Sequence, residues 1–92
     1  MRLGEFIKVY RLENEMTQKA LAKELCIPGS DADVCRIEKG TDRTLNALRA
    51  RFLLYICLEK DKEERRKNAK SAMRADDLNE SEKKFLLSVI ML

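Results

Sequence analysis

The sequence predicts an all-α domain, and three observations carry that reading. Apolar side chains recur at three- and four-residue spacing along most of the chain, the period of one face of a helix. Three glycines, one proline and 5% aromatic residues leave little material for the tight turns of a small β fold. The 45% apolar content is ordinary for a globular domain and too high for simple disorder. With 92 residues the chain makes one small unit, because single cores divide only past about 250 residues.

Each element follows from local signals. Leu3, Phe6, Ile7 and Tyr10 stand at i, i+3, i+4 and i+7, predicting a first helix over residues 3–14, with Gly4 its weakest former. Thr17 is a good N-cap for a second helix of about two turns, with Leu21, Ala22 and Leu25 on one side. Cys26-Ile27-Pro28-Gly29 breaks the pattern, and Ser30 can cap a short third helix with Val34 and Ile37 inward. That helix should end at Lys39, where Gly40 suits a left-handed C-cap. Thr41-Asp42 offers another cap before Leu45, Leu48, Phe52, Tyr55 and Ile56, an apolar stripe on a helix from about residue 43 to at least Leu58.

Past Leu58 the composition changes. Residues 59–70 hold ten charged residues and one apolar one, Ala69, so the stretch is not expected to face a core. Opposed charges such as Glu63 with Lys67 and Lys60 with Glu64 support a solvated helix continuing from the fourth, or a flexible connector. A second reading makes Arg65, Arg66, Lys67 and Lys70 a phosphate-touching patch. Ala75-Asp76-Asp77 interrupts, and Asn79 with Glu82 has the form of a capping box. The last helix carries Phe85, Leu86, Val89 and Ile90 on one face, widened by Leu87, Met91 and Leu92, and such a stripe requires a partner surface in the same chain or in a second copy.

Composition narrows the function. Nineteen Lys and Arg against 16 Asp and Glu give a formal charge of +3, mildly basic and finely mixed. Absence of histidine removes the usual proton carrier and the commonest metal ligand, and no Gly-rich phosphate loop, paired acid cleft or nucleophile with a base is visible. No enzymatic activity, metal or cofactor is therefore expected. Cys26, Cys35 and Cys57 lie nine and 22 residues apart, which fits neither a CxxC pair nor a zinc finger, so they read as reduced thiols acting as small hydrophobes. The longest apolar run, Phe52 to Leu58, is far short of the ~20 residues that span a bilayer, and the N-terminus lacks a signal-peptide core. A soluble, cytoplasmic protein with no membrane partner is expected.

Thr17-Gln18-Lys19-Ala20-Leu21-Ala22-Lys23-Glu24-Leu25 followed by Val34-Cys35-Arg36-Ile37-Glu38-Lys39-Gly40 resembles the helix-turn-helix of the XRE family, the Cro and CI repressor type. The resemblance covers about residues 3–58. It implies a compact five-helix, lambda-repressor-like bundle, with residues 1–58 as the DNA-binding domain. Residues 59–92 would be a C-terminal helical extension, made of a charged linker helix and the apolar last helix. Small Ala22 suits a close helix crossing, while Leu21, Leu25, Val34 and Ile37 fill the wedge between the two helices so that the third projects. By the same resemblance Arg11 and Glu38 form a partly buried structural ion pair that reads no DNA.

Function follows from the resemblance as well. It implies a sequence-specific regulator, a repressor, binding double-stranded DNA as a homodimer on a two-fold operator with helix 3 in the major groove. Base contacts fall to Asp31, Ala32, Cys35 and Arg36. Arg36 is the best reader, because its planar fork can bond guanine O6 and N7. Backbone contacts fall to Gln18, Lys19, Ser30, Lys39, Thr41 and Arg43. Phe85, Leu86, Val89 and Ile90 would form the dimer contact or else complete the monomer core. Three features depart from the family pattern. Two extra residues, most simply Pro28-Gly29, lengthen the turn between Leu25 and Val34. Cys26 stands where the family has a glycine, and Asp31 and Asp33 are acidic at the tip of helix 3, where they cap the helix or, for Asp31, accept from cytosine N4. The modest +3 charge, the two aspartates and the long turn favour the alternative, a helix-turn-helix used to bind another protein, antitoxin-like or anti-repressor, which the C-terminal helix could also engage.

Overall fold

The computed structural model describes residues 1–25, 31–39, 46–58 and 61–91, and every regular element among them is a helix. In chain order these are α1 (Leu3–Glu13), α2 (Gln18–Glu24), α3 (Asp31–Lys39), α4 (Asn46–Leu58), α5 (Lys62–Ala72) and α6 (Glu80–Met91). The caps expected at Ser30, Gly40 and Thr41-Asp42, the Cys26-Ile27-Pro28-Gly29 break and the start of the fourth helix at residues 43–45 lie outside the described residues.

Leu3, Ile7 and Tyr10 turn the buried face of α1 inward. The helix stops without a glycine. Glu15 takes a left-handed φ of 55°, its N–H donates to the carbonyl of Leu12, and Met16 N–H donates to that of Arg11 at 2.9 Å. This pairing satisfies the last free carbonyls of the helix and turns the chain into α2. Thr17 Oγ1 then accepts from Ala20 N–H at 3.0 Å and starts α2. Its apolar face, Leu21 and Ala22, packs against Val34 and Ile37 of α3, all of them buried.

Gly4 explains how α1 meets α3. A Cβ at that position would collide with the backbone carbonyl of Ile37, so the weakest helix former in α1 is the residue that lets the two backbones approach. Across from α3, the rings of Phe6 and Tyr10 stand edge-on to Phe52 of α4, centroids 6.0 and 5.5 Å apart.

α4 is the central helix. Leu48, Phe52, Leu53, Ile56 and Cys57 are all buried, so its apolar surface is wider than one stripe and is covered from several sides. Arg51 Nη1 donates to the carbonyl of Leu25 at the end of α2, and Asn68 Nδ2 donates to that of Ile56 near the end of α4.

The charged segment corrects two expectations. Instead of continuing α4, it forms a separate helix whose N-cap, Asp61, accepts from Glu64 N–H at 2.9 Å, giving six helices among the described residues where five were expected. Nor is it wholly solvated, because Ala69 and Ala72 are fully buried against α4 and α6. Two small residues are enough: on a helix they let neighbouring backbones come close, and the seven charged residues of α5 can occupy the rest of its circumference.

Asn79 and Glu82 form the reciprocal box that opens α6: Glu82 N–H donates to Asn79 Oδ1 at 2.8 Å and Asn79 N–H to Glu82 Oε1 at 2.9 Å. Leu86 and Val89 are buried, and Phe85 and Ile90 are half-buried against the same core. The partner surface that the apolar stripe requires is thus largely inside the chain. No described helix is long and apolar enough to cross a membrane.

Candidate nucleic-acid interface

α3 is held from two sides. Val34 and Ile37 anchor it on α2 and α1, and Glu38 ties its last turn down. Arg11 Nε donates to Glu38 Oε2 at 2.8 Å and Nη2 to Oε1 at 3.1 Å, a two-pronged pair whose side chains are only 12% and 5% exposed. Arg11 Nη1 also donates to the carbonyl of Met16, so one guanidinium joins α1, the α1–α2 turn and α3. The hydrogen bond to Glu38 raises the Arg11 pKa above its ordinary value, against a smaller opposing effect of burial, and the charge is permanent.

With that inner face fixed, the outer face of α3 is defined by spacing. Ala32, Arg36 and Lys39 are exposed at i, i+4 and i+7, and Cys35 beside them is half-buried. Arg36 Nη1 lies 3.3 Å from Asp33 Oδ1, an i, i+3 pair on the exposed side, with the arginine side chain 58% exposed. A pair so open to water is weak and easily exchanged. Lys19, in the first turn of α2, is exposed as well.

Gln18 is placed differently from the phosphate-facing role implied for it. Its Nε2 donates to Glu38 Oε1 at 3.2 Å, and the side chain is half-buried, which makes it a third brace on the Arg11–Glu38 pair. Asp31 is the first residue of α3. Its side chain, together with Ser30, Thr41 and Arg43, lies outside the described residues.

The C-terminal positions also separate by role. Leu86 and Val89, 0% and 7% exposed, belong to the core of the monomer and cannot present themselves to a second copy without unfolding α6. α6 instead exposes Leu87 and Met91, 47% and 84% open and one turn apart.

A second, partly buried cluster escaped sequence reasoning. Arg49 of α4 donates through Nε and Nη2 to both oxygens of Glu82 at 2.9 Å, and through Nη2 to the carbonyl of Asp77 at 2.9 Å. The carboxylate of Asp77 in turn accepts from Leu3 N–H at 2.8 Å. Burial lowers the Arg49 pKa, but Glu82 and Asp77 more than offset it, and the net direction is up. The cluster locks the start of α1, α4 and α6 together, far along the chain from one another. The capping box marked Glu82; nothing local marked Arg49.

Among the described residues, Cys35 and Cys57 are free thiols, and no group of three or more Cys, Asp or Glu could hold a metal ion. No protein-family model matches the chain, and no curated protein or solved structure matches it significantly.

Proposed function

We propose that the chain is a sequence-specific regulator of the XRE helix-turn-helix type, with a lambda-repressor-like arrangement of α1 to α4, that lays α3 in the major groove of double-stranded DNA. The observation that carries the reading is a short helix, braced from behind by Arg11, Gln18 and Glu38, whose outer face presents Ala32, Arg36 and Lys39. A recognition helix needs this division, because a groove reads side chains accurately only when the backbone beneath them is fixed. Arg36 would read a guanine through its two terminal nitrogens, giving up its half-buried partner Asp33 to do so. Ala32 and Cys35 would touch neighbouring base edges, with Lys19 and Lys39 on phosphates.

A single helix-turn-helix buries too little for tight binding, so a homodimer on half-sites about 34 Å apart completes the reading. The surface left for a second copy on α6 is Leu87 and Met91. The Arg36–Asp33 pair favours one alternative, a helix-turn-helix whose partner is another protein, since it reduces the positive charge on the outer face of α3.

Selection from a randomised duplex library tests the proposal. Enriched sequences should share a guanine-containing half-site repeated with two-fold symmetry, and Arg36→Ala should flatten the preference at that guanine. No enrichment, or an unchanged preference in the variant, contradicts it.

A further inference from the structure

Between α1 and α5 runs an open groove of about 450 Å³, within the range that holds small ligands. One wall is the Phe6, Val9, Tyr10 stripe of α1, in which Val9 is 40% exposed and Phe6 half-buried. The other wall is polar and belongs to α5. The two helices run in opposite directions along it. Asp76, just after α5, donates its N–H to the carbonyl of Met1 at 2.9 Å, so the start of α1 sits at the end of α5.

That arrangement sorts the charges. Glu13, from the end of α1, and Glu64, from the start of α5, stand at one end of the groove, while Arg74 stands at the other. Among the described residues none of these three side chains makes an ion pair within the chain. From Glu64 to Ala72 the helix rises about 12 Å at 1.5 Å per residue, and the turn that carries Arg74 beyond it brings the two charged ends to about 15 Å apart. A molecule that complements the groove therefore carries a cation and an anion about that far apart, with an apolar body between. It also benefits from acceptors along its length, because Lys67 and Ser71 line the α5 wall between the two ends.

The geometry points to a free-ended apolar peptide of four or five residues. Extended, such a peptide spans about 3.3–3.6 Å per residue, which matches the separation of the charged ends. Its terminal ammonium faces Glu13 and Glu64, and its terminal carboxylate faces Arg74. Its carbonyls meet Lys67 and Ser71, while alternate side chains lie on Phe6, Val9 and Tyr10. An amino acid is too short to reach both ends, and a hydrocarbon leaves both ends unmatched. The site is independent of what α3 binds.

The test uses the full chain and an equimolar pool of free-ended pentapeptides whose three central positions vary over leucine, valine and phenylalanine. Amide shifts followed by NMR should concentrate on α1 and α5 and saturate at millimolar peptide. The same pool acetylated and amidated should bind at least tenfold more weakly. Glu64→Gln with Arg74→Gln, two exposed positions whose neutralisation leaves far-UV circular dichroism unchanged, should cost a further tenfold or more with the free-ended pool; Val9→Asp, also exposed, should do the same by spoiling the apolar wall. Shifts absent or centred elsewhere, equal binding of the blocked pool, or indifference to both variants overturns the assignment.

Discussion

Glu38 accepts from three donors, Arg11 Nε, Arg11 Nη2 and Gln18 Nε2, while almost fully shielded from water. Removing it leaves a buried guanidinium without its counter-charge, so Glu38→Ala should lower the unfolding free energy by about 3–5 kcal/mol in a urea titration. Replacing both partners by apolar residues, Arg11→Met with Glu38→Leu, should recover most of that loss, because the orphaned charge is gone. Cys57 makes a different prediction at the same scale. Burial pushes its thiol up to about 11 from an ordinary 9.0, so the folded state holds a proton that the unfolded state releases. Its contribution is intact below pH 9 and is lost as the pH rises through 11, by about 3 kcal/mol in all. Stability measured from pH 8 to 11 should therefore fall more steeply for the native chain than for Cys57→Ala.

At the scale of elements, the crossing of α1 over α3 depends on the missing side chain of Gly4. Gly4→Ala improves helix propensity by about 1 kcal/mol and yet should destabilise the protein by about 3 kcal/mol, since the obstacle is a backbone carbonyl that no rotamer can move. A gain in thermal midpoint would contradict the close approach. Gly4 shows why some of the structure escapes the sequence: locally it reads as a weak former, and its purpose appears only when α3 is placed against it. The helices whose starts carry their own chemistry were legible, as Thr17 and the Asn79–Glu82 box show, because a cap is decided within four residues. α5 was not, because seven charges outweigh two alanines in any composition count, and only packing reveals that Ala69 and Ala72 suffice. The stop of α1 at Glu15 carried no glycine to announce it.

Across the whole molecule, the described helices form one body with a radius of gyration of 12.2 Å, close to the ~12 Å of a compact chain this size. Long-range polar pairs divide it into two braced regions. Arg11 with Glu38 fixes α3, and Arg49 with Glu82 and Asp77 fixes α6 and the start of α1 to α4. Arg11 and Glu38 drew notice through a resemblance of residues, whereas Arg49 lies 33 positions from its main partner and matches no local motif. The proposed interface was legible as spacing, Ala32, Arg36 and Lys39 on one side and Val34 and Ile37 on the other. The inward turn of Gln18 toward Glu38 could not be read that way, because an amide beside a helix start serves a phosphate and a carboxylate equally well. What binds α3 is most directly decided by the affinity of the chain for an enriched duplex, measured against salt. With Lys19 and Lys39 from each of two copies on phosphates, affinity should fall linearly on logarithmic axes with a slope of about −4, flattened by about two units in Lys39→Ala. Affinity indifferent to salt, or equal for enriched and scrambled duplexes, would contradict a groove-reading α3.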